Sequence, residues 1–275
     1  MNQSLDHAPL GKSSEYPDHF DASLLFPVPR QAKRDELGIT GVLPFKGIDI
    51  WNAWEVSWLN TRGKPIVAIG EFRIPADSTN IIESKSFKLY LNSLNQARFD
   101  SFESVSSRLV EDLSLCAGGR VDVRLVSVDE SADFTQVVAA QGQCIDDLDI
   151  ETDCYQTNPD LLAKASDEVV EEQLFSHLLK SNCPVTGQPD WGTVLIHYKG
   201  NKLDHEALLK YIISFRQHTE FHEQCVERIY TDISQLIDFE FLRVSARYVR
   251  RGGLDINPLR TSDDQNYQNT RLSRQ

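Results

Sequence analysis

Apolar and polar residues alternate along Ile66, Val67, Ala68, Ile69, Gly70, Glu71 and Phe72, and the texture returns along Gly192, Thr193, Val194, Leu195, Ile196, His197 and Tyr198. A period of two sends successive side chains to opposite faces, so each stretch predicts a strand. Gly63-Lys64-Pro65 precedes the first and Gly187-Gln188-Pro189 the second, and such residues punctuate turns. Beyond each strand the spacing becomes helical: positions 88–99, with Tyr90, Leu91 and Leu94, match positions 210–221, with Ile212, Ile213 and Arg216. Second helices are predicted over 102–115 and 222–237, and closing strands over 120–128 and 240–249. Strand, strand, helix, helix, strand, strand thus occurs twice. This is an internal repeat of the α+β class, with antiparallel sheets that each carry two helices.

The repeat divides the chain into a tail (1–46), a first half (47–140), a connector (141–180) and a second half (181–275). The tail is rich in Pro, Ser and charge, and its apolar knot Leu24-Leu25-Phe26 predicts that it wraps onto the body. The acidic run Asp146-Asp147-Leu148-Asp149-Ile150-Glu151-Thr152-Asp153 marks the connector as solvated. A net charge of −13 excludes broad binding to a nucleic-acid backbone, which needs clustered Lys and Arg, and points to a small-molecule ligand. The first residues carry no basic start with an apolar core, and no apolar run reaches membrane-spanning length, so a cytoplasmic protein is expected. Five cysteines at irregular spacing, without a Cys-x-x-Cys pair, predict free thiols rather than a disulfide framework or zinc ribbon.

The copies differ in their reactive groups. Glycine-to-glycine spacing carries Cys183 and Asp190 back onto Leu59 and Ile66, and helix spacing carries His222 and Glu223 back onto Asp100 and Ser101. Conversely, Ile82-Glu83-Ser84-Lys85-Ser86-Phe87-Lys88 stands where the second half has Asp204-His205-Glu206-Ala207-Leu208-Leu209-Lys210. Each half keeps what the other lacks, so a site built at their junction is expected.

Ser181-Asn182-Cys183-Pro184-Val185-Thr186-Gly187-Gln188-Pro189-Asp190-Trp191 sets a thiol and a carboxyl on either side of a Pro/Gly turn, a nucleophile beside a proton donor. The same turn would serve an inert, buried cysteine, and the turn alone leaves both readings open. Phe221-His222-Glu223 opens a helix, where a carboxylate also fits as a simple first-turn charge. His218, His222 and Cys225 would share one face of a continuous helix and could ligate zinc, but Phe221-His222 reads as a helix boundary, and the Glu of the hydrolytic zinc motif is missing. Arg243, Arg247, Arg250 and Arg251 before Gly252-Gly253 fit either a phosphate site or a solvated edge strand. No Gly-x-Gly-x-x-Gly follows a strand, which excludes a Rossmann site.

Taken together, Cys183-Pro184-x-Thr186-Gly187-Gln188-Pro189-Asp190, Phe221-His222-Glu223, Arg251-Gly252-Gly253 and Glu83-Ser84-Lys85-Ser86-Phe87-Lys88-Leu89-Tyr90 resemble the NADPH-dependent 7-cyano-7-deazaguanine reductases, the nitrile reductases of queuosine biosynthesis. The resemblance covers nearly the whole chain and is to the long form with two fused halves. It implies tandem tunnelling-fold (T-fold) modules and at least a homodimer. It implies that Cys183 adds to the nitrile carbon to give a covalent thioimide, and that Asp190 donates the proton, its pKa raised by burial. By the same resemblance Ile82, Glu83, Ser84, His222 and Glu223 hold the 7-deazaguanine substrate, while Ser84, Lys85, Arg251 and Gly252 contact NADPH, with no metal, nucleic acid or membrane involved. A zinc-dependent purine-ring hydrolase, a cysteine nitrilase and a non-catalytic purine-binding protein are the rival readings.

Overall fold

The computed structural model describes residues 19–132, 136–264 and 267–275; positions 1–18 of the expected tail lie outside them. The chain runs through β1 (Pro27–Pro29), α1 (Gln31–Glu36), β2 (Lys46–Leu59), β3 (Pro65–Pro75), β4 (Asn80–Ile82), α2 (Ser84–Ser93), α3 (Phe102–Ala117) and β5 (Asp122–Ser127). It continues with β6 (Gln143–Cys144), β7 (Lys164–Ser176), β8 (Lys180–Asn182), β9 (Pro189–Leu203), α4 (His205–Ser214), α5 (His222–Leu236), β10 (Phe239–Tyr248) and β11 (Leu254–Thr261). The fold is α+β, with antiparallel pairing throughout the long strands.

Two helix boundaries differ from the sequence pattern. The first helix of each half begins at Ser84 and His205 rather than at positions 88 and 210. The reason lies in the caps. Glu83 accepts hydrogen bonds from the Lys85 and Ser86 backbone N–H groups, and Asp204 accepts one from Ala207. Each carboxylate satisfies first-turn donors that lie before the predicted start. Single 3-10 turns, Leu94–Gln96 and Phe215–Gln217, then end both helices where the longer pattern would have continued. The second helices begin at Phe102 and His222, so counting from their starts sets Glu103, not Ser101, opposite Glu223. Glu103 is exposed and Glu223 buried, so the copies differ in environment rather than in having a carboxylate.

The halves do not keep separate sheets. Eight strands run in the order β5-β3-β2-β11-β10-β9-β7-β6, with β8 pairing β9 off this path. The pairing of β2 with β11, from Lys46↔Thr261 to Ala53↔Leu254, fuses the two sheets into one. In the first half a single strand, β5, follows the helices instead of the expected pair. The expected connector is also more structured than its charge implied: β7 lies inside it and pairs along β9. Within the acidic run Asp146 accepts hydrogen bonds from Ser176 Oγ (2.6 Å) and the His177 N–H (2.9 Å), anchoring the end of β7. Two apolar clusters fill the space between sheet and helices, one around Trp51, Phe72, Phe87 and Leu109, the other around Ile196, Tyr211, Phe215 and Ile229. No helix among the described residues is long and apolar enough to cross a membrane.

Residues 19–46 are a packed strap. Phe20, Leu24 and Leu25 rest on the first cluster, and Val28 joins Ile81 and Phe221 in a small cluster of its own. Phe26 fixes the strap to α2 twice: its N–H donates to Ser86 Oγ (3.0 Å) and its carbonyl accepts from the Glu83 N–H (2.9 Å). Arg30 and Arg34 then enter a buried charge network. Arg30 donates to Asp49 (2.6 Å), Arg34 to Glu227 (2.8 Å), and Arg260 bridges Asp49 (2.7 Å) and Glu227 (2.9 Å). Against the cost of burial, the guanidinium groups hold the Glu227 and Asp49 carboxyls below their ordinary range. Strap, first half and second half thus meet in one ionic core. Removing one partner strands the others' charge, so Glu227→Ala is expected to lower unfolding stability by about 3–5 kcal/mol. Urea denaturation at fixed protein concentration measures this; a loss under about 1 kcal/mol would show that the network does not tie the halves together.

Candidate active site

Cys183 follows β8 directly, and Asp190 is the second residue of β9, so the two flank a hairpin turn. The turn is closed by the Cys183 N–H donating to the Gln188 carbonyl (2.9 Å) and the Gly187 N–H donating to the Cys183 carbonyl (3.0 Å). Gly187 adopts φ 64°, a left-handed conformation that glycine enters without strain. Cys183 is 7% and Asp190 4% exposed, and both line one small cavity. The hairpin therefore brings thiol and carboxyl to a common pocket.

His222 and Glu223, at the first turn of α5, line the same cavity. His222 Nε2 lies 3.3 Å from Asp190 Oδ1, and its ring packs on Tyr248 with centroids 4.0 Å apart. Glu223 is buried, and its Oε2 has no hydrogen-bond partner. Desolvation first, and the negative charge of Asp49 second, push its carboxyl well above the ordinary carboxylate range. A raised folded-state pKa gives stability that is complete below the pKa of an unfolded glutamate, about 4.3, and lost as pH rises through the folded value. Glu223→Gln keeps the neutral shape and is expected to melt above wild type in alkaline buffer, the gain shrinking toward zero near pH 4. Equal melting temperatures at alkaline pH would mean that the carboxyl is not strained by its burial.

The first half contributes Ile82 and Ser84 to the lining. Glu83, 1% exposed, spends both carboxylate oxygens on the α2 cap, while burial raises its pKa. Lys85 lies half-buried in the first turn of α2 and is absent from the lining. Lys88, one helical turn beyond Ser84, lies outside the lining, with its side chain against Gly252. Burial first, then the charge of Arg251, lowers its pKa, while Glu83, Cys183 and Asp190 act in the opposite sense.

Only one of the four clustered arginines reaches the site. Arg243 pairs with Asp263, Arg247 donates to Asn269 Oδ1 (2.7 Å), and Arg250 stacks over the Trp54 ring at 4.1 Å. β10, the strand of Arg243 and Arg247, lies inside the sheet rather than at an edge. Arg251 donates to Gln188 Oε1 (3.0 Å) and sets its NH2 nitrogen 2.9 Å from Asp190 Oδ1. Neither that N–H nor the His222 ring is aligned for a hydrogen bond to Oδ1, so the carboxylate contact is electrostatic. Gly252 and Gly253, at φ 59° and 82°, form the two-residue turn that closes Arg251 onto Leu254. The site and a β-hairpin turn thus share one segment. A Cβ at Gly252 would also meet the Lys88 side-chain carbons at 3.2–3.3 Å.

The zinc arrangement does not form. His218 precedes α5 and turns to Glu220 (2.8 Å) and to Thr157 Oγ1 (3.2 Å), and the Cys225 thiol is fully buried. Among the described residues no group of three or more His, Cys, Asp or Glu is set to hold a metal. Lys88, beside the site, and Trp51, in its lining, carry no individual mark in the sequence pattern. Lys88 stands four residues after Ser84 on one helix face. Trp51 lines the cavity from β2, and its apolar surroundings in the strand gave no signal beyond core packing.

Comparison with known proteins bears on both halves. The family model described as "Nitrile reductase, 7-cyano-7-deazaguanine-reductase N-term" matches residues 16–125, and the model described as "QueF-like protein" matches residues 189–267. A solved structure titled "Crystal structure of the archaeosine synthase QueF-Like in the apo form" is 17% identical over 35% of this chain and 96% of its own, with a TM-score of 0.31. The two family models together match most of the chain, leaving the two ends and positions 126–188, Cys183 among them, outside the matches, and the chain belongs to the 7-cyano-7-deazaguanine reductase family, a family of nitrile reductases, with both halves present.

Proposed function

We propose that this chain reduces the nitrile of 7-cyano-7-deazaguanine to an aminomethyl group with NADPH, in queuosine tRNA-modification biosynthesis. The observation that carries the reading is one cavity lined by Cys183, Asp190, His222 and Glu223 of the second half and by Ile82 and Ser84 of the first. The Cys183 thiolate adds its electron pair to the electrophilic nitrile carbon, and Asp190 delivers a proton to the nitrogen, leaving a thioimide on sulfur. Glu223, with an unpartnered oxygen, and Glu83 accept from the ring N–H and amino groups of the ligand, with His222 beside the nitrile.

Bound NADPH would supply one hydride to the thioimide and a second to the imine left when sulfur departs, four electrons in all. The residues fit such a group: Lys88 and Arg251 lie close enough for one charge to depress the other's protonation, which an anionic phosphate relieves. Ser84, Lys85, Arg251 and Gly252 are the cofactor contacts of this reading, in a cytoplasmic enzyme. The run of long paired strands followed by two helices in each half supports tandem T-folds. β5 ends the sheet with one edge unpaired among the described residues, which supports association of copies into at least a dimer.

NADPH oxidation followed by absorbance in the presence of 7-cyano-7-deazaguanine, with products weighed by mass spectrometry, tests the proposal. Two NADPH consumed per aminomethyl product is the expected result. Ligand bound or hydrolysed without oxidation would overturn it in favour of a binding protein or a nitrilase.

A further inference from the structure

One residue that lines the cavity carries a buried donor with nothing to bind. Trp51 is 0% exposed and lines the cavity, and its Nε1 has no hydrogen-bond partner. An indole N–H can only donate, and buried polar atoms left unpaired are rare enough to need a reason. A second tryptophan of the same strand shows the usual outcome: Trp54 Nε1 donates to Asp255 at 2.6 Å.

Its place on the strand puts Trp51 beside the ligand-facing carboxylate. β2 keeps unbroken register from Ile48 to Ala53, so Asp49 and Trp51, two residues apart, project from one face. Asp49 is close enough for its charge to raise the Glu223 pKa. Opposite Trp51 in the ladder stands Ile256, which also lines the cavity. The other polar lining side chains have charged or polar neighbours: His222 and Arg251 lie against Asp190, Arg251 also donates to Gln188, and Ser84 Oγ lies 3.5 Å from the Glu83 carboxylate.

A guanine-like edge presents N–H donors next to a ring carbonyl. Carboxylates serve the donors, but the carbonyl needs a donor of its own. We propose that Trp51 Nε1–H donates to the ring carbonyl oxygen of the bound 7-deazaguanine, so that Trp51 is a substrate-binding residue that selects an oxo group over an amino group at that position. An amino group would set donor against donor, and a ligand with neither would leave the indole unpaired. This inference rests on the function proposed above.

The test uses 7-deazaguanine and 2-amino-7-deazapurine, which lack the nitrile and bind without forming an adduct, the second also lacking the carbonyl. Affinities are measured by calorimetry for the wild-type chain and for Trp51→Phe, whose melting temperature is checked alongside. Trp51→Phe is expected to bind 7-deazaguanine roughly 10- to 100-fold more weakly. The penalty for losing the carbonyl is expected to shrink by the same factor in the variant. Binding of 7-deazaguanine within twofold of wild type, or an equal carbonyl penalty in both proteins, would overturn the role of Trp51. Failure of the wild type to bind either ligand would instead remove the proposed function. If Trp51→Phe does not fold, the indole N–H resonances of the four tryptophans in the wild type decide. One is expected to move downfield with 7-deazaguanine but not with the analogue, and no movement would overturn the proposal.

Discussion

Cys183→Ala is expected to fold, to bind 7-cyano-7-deazaguanine reversibly, and to reduce none of it. The turn around Cys183 is held by backbone groups, its own N–H to Gln188 and its carbonyl to Gly187, which alanine retains. The side chain is small and near the cavity, so the stability cost is about 1 kcal/mol. What disappears is the nucleophile, and with it the conversion of an unreactive nitrile into a carbon that accepts hydride. Loss of a covalent nucleophile costs turnover on the order of 10⁴- to 10⁶-fold. Intact-protein mass spectrometry with substrate and no NADPH reads the decisive species: wild type gains the ligand mass and the variant does not. An adduct on the variant would move the nucleophile elsewhere and remove Cys183 from the mechanism.

Asp190→Asn is the second large effect. Asparagine preserves shape on the hairpin but has no acidic proton, so adduct formation is expected to slow by roughly 10²- to 10⁴-fold while ligand affinity stays within a few-fold. Stopped-flow absorbance of the wild-type and variant adducts across pH measures this. Adduct formation at the wild-type rate would assign the proton to another group, and His222, 3.3 Å from Asp190 Oδ1, is the neighbour placed to give it. The substitution also frees Arg251, which Asp190 now holds at 2.9 Å. A guanidinium relieved of its carboxylate binds phosphate more readily, so the KM for NADPH is expected to fall while kcat falls with it. A rise in that KM would mean that the ion pair, rather than a free guanidinium, prepares the cofactor contact.

Some of this molecule is legible from neighbouring residues alone. The alternation at positions 66–72 and 192–198 gave β3 and β9 because a period of two is a local property of extended chain. Gly187 and the prolines around it gave the turn between thiol and carboxyl for the same reason. The apolar spacing sets the first-helix starts four and five residues late, because Glu83 and Asp204 are caps and a cap leaves no mark on an apolar period. Glu83 is thereby both structural and, on the proposed reading, functional.

The sequence by itself determined the repeat, the class of fold, the hairpin that carries Cys183 and Asp190, and the helix that begins at His222, since each follows from residues close together in the chain. Only the tertiary structure decided that β2 and β11 would pair across some 200 positions into one sheet, that Arg30 and Arg34 of the strap would share carboxylates with Arg260, that Arg251 would turn to Asp190, and that Trp51 would line the cavity with its indole N–H unpartnered. Those outcomes depend on which distant surfaces meet. Propensity and period act over a few residues, whereas the burial and charge compensation that select a partner exist only after the chain has closed upon itself.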